Sequence, residues 1–586
     1  MPEERHTTSE RVDDLPLIVY WLLKMQVAEI IDAVLPKPHG NRQGLSYGQL
    51  AVLFLTYILT QYDHRMCSVE EWVRAHPQTL EEATGWAIGD KDATDDRLED
   101  LLSALGAVGD LETCPPAARI EEQLGRHVIR AYALPTQLAR IDTTSFSVYH
   151  SAGEGETESS LVQFGHSKEH RPDLRQFIEA LGTLDPAGIP LVSATLSGNT
   201  ADDGVYLPLW KRMAAQVGRP DFLLVGDCKL ASLENRARLQ REGGFYLCPL
   251  PMTGNWPQIL RDWVGDQTVP PQPVFLDEAD SEPIGEGFTV ELGKLWTDPA
   301  TGQRVCWMEQ LFVFRSQALA HRELQALNRR LCRAEQALQR LANRPGDDRV
   351  KLEGKIEETL HRHTVAAFLE VTVNEKRWVE ERLIGPGRPG PDRPRRQVEH
   401  RRLTVTLRRR PQAIGEAEAL AGWRIYATNA GRQRLNLVGA IRHYRAQWQP
   451  ERGFHRFKRG RLSALPLYLQ DDARIRGLML LLGIALRVLT LMEFVVRRSL
   501  QVQNEELAGL YDGNPRRATS RPTAEKLLSA FQGITLYRHH REAHIEEEIT
   551  PLSPLQVRIL ELMEVAQTIY HAEPEPVPRW LIPPDP

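Results

Sequence analysis

At 586 residues the chain exceeds one compact core, and at roughly 150 residues per domain it implies several folded units. Its 42% apolar and 26% charged residues exclude global disorder, and a net charge of -6 excludes a protein that coats nucleic acid by bulk electrostatics. The six cysteines contain no C-x-x-C pair, so neither a zinc site nor a disulfide framework is expected, and a cytoplasmic location fits.

The start, MPEERHTTSERVDDLP, is polar and acidic, unlike a signal peptide. Residues 1–135 read as a helical N-terminal domain for DNA-end binding or dimerisation. Leu15 to Leu35 and Ser46 to Thr60 are apolar enough for buried helices, with Ser46 as N-cap of the second. Thr94 opens a further helix whose Leu98, Leu101, Leu102 and Leu105 share one face.

Over residues 136–244 the pattern becomes α/β. ARIDTTSFSV, FIEALGTLD and PLVSATLSGN read as three strands, ADDGVYLPLWKRMAAQVG as a helix, Asp221 to Asp227 as an apolar strand, and Ser232 as the cap of another helix. Residues 245–422 read as an insertion of strands and a helical hairpin. Its heptad seam, Leu324 to Leu341, is expected to form intramolecular core rather than a dimer coiled coil, and a second helix spans Val350 to Leu369. Gly385 to Arg396 reads as a loop, and the basic run Arg393 to Arg410 as either a solvated loop or a DNA contact.

Residues 423–500 return to the α/β unit with a strand at GWRIYATN and a helical region from Leu435 to Arg461. The apolar run Gly477 to Val496 contains Arg487 and Glu493, costly in lipid at about 2.5–3.5 kcal/mol each, so it reads as a buried helix and no membrane contact is expected. Residues 501–586 read as a C-terminal helical region with a Pro-rich tail.

Three acids stand out: Asp142 and Asp227 at expected strand ends, and Glu451 on an expected helix. Around Glu451, the residues Tyr444, Gln447, His455 and Lys458 follow at steps of three and four, which keeps a phenol, a carboxylate and a cation on one helix face. Phosphodiester hydrolysis needs an activated water and stabilised charge on phosphorus and leaving oxygen. Two Mg²⁺ ions held by a few carboxylates can supply all of these, and Mn²⁺ is expected to substitute. His166 and His170 suit loop structure or phosphate contact better than a hard metal. Trp448 reads as helix packing in preference to a base-stacking platform, and Cys228 as a buried small residue.

IDTTSF, GHSKEHRPDLRQ, GIPLVSATLSGNTADD, VGDCKLASLEN, and TN followed by YRAQWQPERGFHRFKRG resemble, in this order, the core of bacterial DDE-type transposases of the insertion-sequence-four superfamily, which carries a tyrosine, arginine, glutamate and lysine signature. The resemblance covers most of Asp142 to Val496. It implies a ribonuclease H-like catalytic core interrupted by an insertion, which the 224 positions between Asp227 and Glu451 can house. It further implies Asp142, Asp227 and Glu451 as metal ligands, and Tyr444 and Lys458 as contacts to transposon-end DNA, with Gln447, Arg445 and Arg459 beside them. The implied reaction is nicking at the element's ends and joining of the freed 3′-hydroxyls to target double-stranded DNA, by a homodimer assembled on DNA.

Two departures stand against the family pattern. Gln447 occupies the signature's arginine position and cannot neutralise a phosphate. Pro450, just before Glu451, is expected to kink the helix or start it afresh. Two other readings therefore remain: a catalytically inactive or domesticated DNA-binding derivative, and a ribonuclease H-like nuclease without strand transfer.

Overall fold

The structure, a computed structural model, describes residues 6–38, 43–108, 114–149, 160–266, 270–277, 281–386, 395–541 and 544–570. The Pro-rich tail and most of the expected loop between Gly385 and Arg396 lie outside these.

Leu15–Lys24 and Val27–Val34 form two helices where one long helix was expected, because Gln26 adopts a left-handed backbone (φ 57°) that ends the first. Ser46 caps Tyr47–Gln61 through a full capping box with Gln49, and the four expected leucines of Asp95–Leu105 are buried. The N-terminal segment is not wholly helical, nor the C-terminal one. His6–Arg11 pairs antiparallel with Thr535–Arg541, which pairs in turn with His544–Ile549. HTTSER is short and polar, and its strand state depends on a partner more than 500 residues away, so no local period reveals it.

The centre is a mixed sheet. Strands β1 (Leu138–Val148), β2 (Arg175–Leu184) and β3 (Ile189–Ser197) form an antiparallel meander. Helix α1 (Tyr206–Val217) leads to β4 (Leu223–Val225), which returns parallel to β1, and α2 (Leu233–Arg241) leads to β5 (Phe245–Pro249), parallel to β4. Ser232 caps α2 by accepting from Asn235 N. β1 is buried along nearly its whole length, as a central strand covered on both faces must be.

The sheet does not stop at the boundary expected at residue 245. β5 pairs with β11 (Trp423–Thr428). Beyond it follow β8 (Arg304–Ser316), β7 (Gly285–Thr297) and β6 (Gln272–Val274), giving the order β3-β2-β1-β4-β5-β11-β8-β7-β6. Apolar β5 and β8 lack the spacing that would separate one sheet from two, so the sequence does not reveal this continuity.

What leaves the sheet is a smaller unit: α3 (Gln317–Asn343), α4 (Arg349–Arg362) and a two-stranded ribbon of β9 (Leu369–Leu383) and β10 (Arg395–Arg409). Leu327, Leu331, Ala334 and Leu338 of the seam pack on Leu352, Ile356, Leu369 and Leu403, so the heptad pattern serves this chain's own core. α4 ends earlier than expected, at Arg362, and in the basic run the stretch RRLTVTLRRR, which reads as a strand, belongs to β10, which begins earlier, at Arg395; Arg393 lies outside the described residues.

Chain order then gives α5 (Leu437–Arg445), α6 (Trp448–Arg459) and the long α7 (Asp472–Gln503). α7 packs on β3 and crosses Asp95–Leu105, where Gly106 and Gly477 sit so close to the opposing backbone that a Cβ on either would overlap a carbonyl. Its apolar length is spent inside the protein, 94% of the most apolar window being buried. Arg487 donates to the carbonyls of Pro190 and Leu191 at 2.7 and 2.9 Å.

Glu179 of β2 is fully buried and accepts from Thr195 Oγ1 at 2.8 Å. Burial pushes its carboxyl up to about 8, with Glu121 adding to the shift and Thr195 and Arg212 opposing it. A group raised above its unfolded value stabilises fully below that value and loses the contribution as pH rises through the folded one. Glu179→Gln, a permanent mimic of the neutral acid, should therefore gain on the wild type between pH 5 and pH 8, by about 1 kcal/mol per pH unit. Urea denaturation at pH 5, 6.5 and 8 measures this, and a difference independent of pH would contradict it.

Candidate functional site

β1 and β4 run parallel and adjacent, with Arg140 paired to Val225. Asp142 lies two residues past that pair, in the middle of β1 rather than at the strand end expected for it, and Asp227 follows two residues after β4 ends, in the turn that leaves the sheet rather than on a strand. Asp142 Oδ1 accepts from the N–H of Thr143 at 2.8 Å. Asp227 Oδ1 accepts from Tyr206 Oη at 2.6 Å and from Lys229 N at 2.8 Å. These bonds take one oxygen of each carboxylate and orient the side chain.

Glu451 comes from α6, which packs against β1. It is exposed, and its charge reaches Asp142. Burial pushes the Asp142 carboxyl up to about 6; the Thr143 N–H and Lys168 oppose this, while the negative charges of Asp227 and Glu451 add to it.

α6 is held from its other side. Glu493 of α7, wholly buried, pairs with Arg452 at 2.6 Å, with Arg456 at 2.5 Å and with Arg497 at 2.9 Å, and accepts from Ala524 N. Arg456 also reaches Glu525 at 2.7 Å, and that contact helps hold the Glu525 carboxyl down at about 2 despite burial. Since Arg452 and Arg456 follow Glu451 by one and five residues, the clamp fixes the helix rotation that presents Glu451.

The expected single stripe from Tyr444 to Lys458 is broken. α5 ends at Arg445 and α6 starts at Trp448, with Pro450 in its first turn, where a missing N–H costs no intrahelical bond. Tyr444 therefore sits on a different helix from Glu451, its ring tilted against that of Tyr426 with centroids 4.8 Å apart, and burial drives its phenol well above the usual range. Gln447 lies at the junction and accepts from Arg140 Nη1 at 3.2 Å. Arg140, fully buried, is also paired with Asp185 and donates to His443 O. Arg445 and Arg459 are exposed.

Lys458 pairs with Glu169 at 2.7 Å and lies over the Phe146 ring. Cys228 is exposed rather than buried, because the chain turns out of the sheet at Gly226; partial desolvation and the charge of Asp227 raise its thiol above the ordinary value. Trp448 is half exposed rather than packed, being the first residue of α6.

Lys168 was missed. It donates to Thr143 O at 2.8 Å, pairs with Asp202 at 3.1 Å and brings a positive charge to Asp142, while the flanking His166 and His170 are exposed. Its signal was the basic run GHSKEHR, in which the two histidines are the more conspicuous residues. Among the described residues, no three His, Cys, Asp or Glu side chains are grouped tightly enough to hold an ion by themselves.

No family model matches the chain, and no curated protein matches it. A solved structure similar to part of it is the piggyBac transposase synaptic complex with hairpin DNA, determined by cryo-EM. The match has 11% identity and a TM-score of 0.24, and covers 54% of this chain and 61% of that one. The chain therefore spans about three fifths of that protein's length.

Proposed function

We propose that the chain is a DNA transposase of the insertion-sequence-four superfamily, built on a ribonuclease H-like core, which nicks transposon ends and joins the 3′-hydroxyls to target DNA. The observation that carries this reading is that Asp227, just past the strand parallel to β1, and Glu451, on the helix packed against β1, both add their negative charge to Asp142, although the three come from distant segments. The strand order β3-β2-β1-β4-β5, three antiparallel and two parallel, supports the core assignment.

The donor set suits Mg²⁺. All three groups are hard carboxylates, and Asp227 and Glu451 add negative charge around Asp142. Mg²⁺ is commonly held by one or two carboxylates, with water and substrate oxygens completing its shell, so a cage of three protein donors on one ion is not required. Asp142, Asp227 and Glu451 would hold two ions, or Mn²⁺ in their place, and the metal would supply water activation and stabilisation of the leaving oxygen. The chain's own residues then orient and attract: Tyr206 and the Lys229 N–H fix Asp227, the Glu493 clamp fixes Glu451, and Lys458, Arg459 and Arg445 offer charge to the DNA backbone. A homodimer on DNA, working in the cytoplasm, completes the reading.

One observation favours a second reading, an inactive DNA-binding derivative: Gln447, in the signature's arginine position, is engaged by Arg140 inside the fold. Incubation with DNA carrying the element's terminal inverted repeats and Mg²⁺ separates the two. Nicking followed by joining is the expected result; DNA binding without any cleavage would install the second reading.

A further inference from the structure

The ribbon of β9 and β10 has one face with no protein on it among the described residues. In its register Lys376 stands opposite Arg402, Trp378 opposite His400 and Arg382 opposite Arg396. These positions are two residues apart or multiples of two, so they share a face. The other face, with Val371, Val373, Leu403, Val405 and Leu407, packs on α3 and α4. The ribbon's free side is therefore its cationic side.

Only part of its charge is paired within the protein. β10 carries six arginines against a single glutamate in a chain of net charge -6. Arg377, Arg382, Arg395, Arg401 and Arg409 pair with glutamates, and His400 with Glu380 on the same face, whereas Lys376, Arg396 and Arg402 make no ion pair among the described residues. Between these cations lies Trp378, 42% exposed and stacked on His400 at 5.3 Å. A solvated face has no use for an exposed tryptophan among unneutralised cations.

We infer that this face of the ribbon docks on duplex DNA, in the major groove. That groove, about 12 Å wide, admits a two-stranded ribbon, and unpaired Lys and Arg at its edges meet phosphates. The major groove of duplex RNA is too deep and narrow for the same insertion. At 15 residues per strand the ribbon is about 50 Å long, enough to follow more than a helical turn. The inference rests on the DNA-acting function proposed above and adds a contact surface remote in sequence from the acidic site.

The test uses the full chain and a random-sequence DNA duplex of about 40 bp, longer than the ribbon. Binding isotherms at several salt concentrations compare the wild type with Lys376→Ala/Arg396→Ala/Arg402→Ala. Three lost phosphate contacts should lower the slope of log K against log salt by about two to three units. The triple variant Lys376→Gln/Arg396→Gln/Arg402→Gln, which keeps more of each stem, should show the same loss with an unchanged thermal melt. The charge-conserving variant Lys376→Arg/Arg396→Lys/Arg402→Lys should keep the slope. A triple Ala or Gln variant that folds and binds with the wild-type slope overturns the ribbon contact alone. Equal competition by duplex RNA overturns the choice of DNA. A wild type without salt-dependent duplex binding overturns the proposed function as well.

Discussion

Asp142→Asn is expected to abolish DNA nicking, by roughly a thousandfold or more, on the order of 4 kcal/mol in the barrier, while leaving DNA binding intact. Asparagine keeps the shape of the carboxyl and loses the charge needed by a metal. The fold should tolerate it, because burial and the charges of Asp227 and Glu451 already work against ionisation of Asp142. On the function proposed above, DNA affinity would rest instead on cations such as Lys458 and those of the ribbon. Single-turnover nicking and duplex binding on the same preparation measure both halves. Wild-type nicking by the variant would remove Asp142 from the chemistry.

The second large effect falls on the clamp. Glu493→Gln leaves Arg452, Arg456 and Arg497 around a neutral amide in a buried place, and removing one partner of a buried ionic cluster costs about 3–5 kcal/mol. Urea denaturation should show this loss, and Arg456→Met in the same chain should add less than it costs alone, because the two share one interaction. A loss under about 1 kcal/mol would mean that the three arginines are satisfied without Glu493. The clamp matters to function because α6, which carries Glu451, has the charge-paired face against α7 and the acid on the open side.

Much of this was legible before any coordinates. The strand carrying Asp142, the caps at Ser46 and Ser232, and the buried leucines of Asp95–Leu105 all follow from local period and capping chemistry, whereas the strand expected from Asp221 to Asp227 spans only Leu223–Val225 and leaves Asp227 in the turn after it. The break between Tyr444 and Glu451 was only half legible: Pro450 announced a restart, but the helix renews at Trp448, set by the packing of α5 and α6 on different parts of the sheet. The pairing of Lys458 with Glu169, of Arg140 with Gln447 and of His6–Arg11 with Thr535–Arg541 joins segments hundreds of residues apart. Such contacts leave no mark on either segment alone. The continuity of the sheet through β5, β11 and β8 was hidden for the same reason, since strand pairing is decided by tertiary geometry.

The central claim is that Asp142, Asp227 and Glu451 together hold the metal. Crystals soaked in Mn²⁺, with anomalous scattering recorded at the manganese edge, test it most directly. The account predicts strong peaks between the three carboxylates, with oxygens of Asp142 and at least one other acid at about 2.0–2.2 Å from an ion, and their loss in Asp142→Asn. Peaks elsewhere on the protein with none at these acids, or a Glu451 carboxylate turned away from both aspartates in the ion-bound crystal, would contradict it.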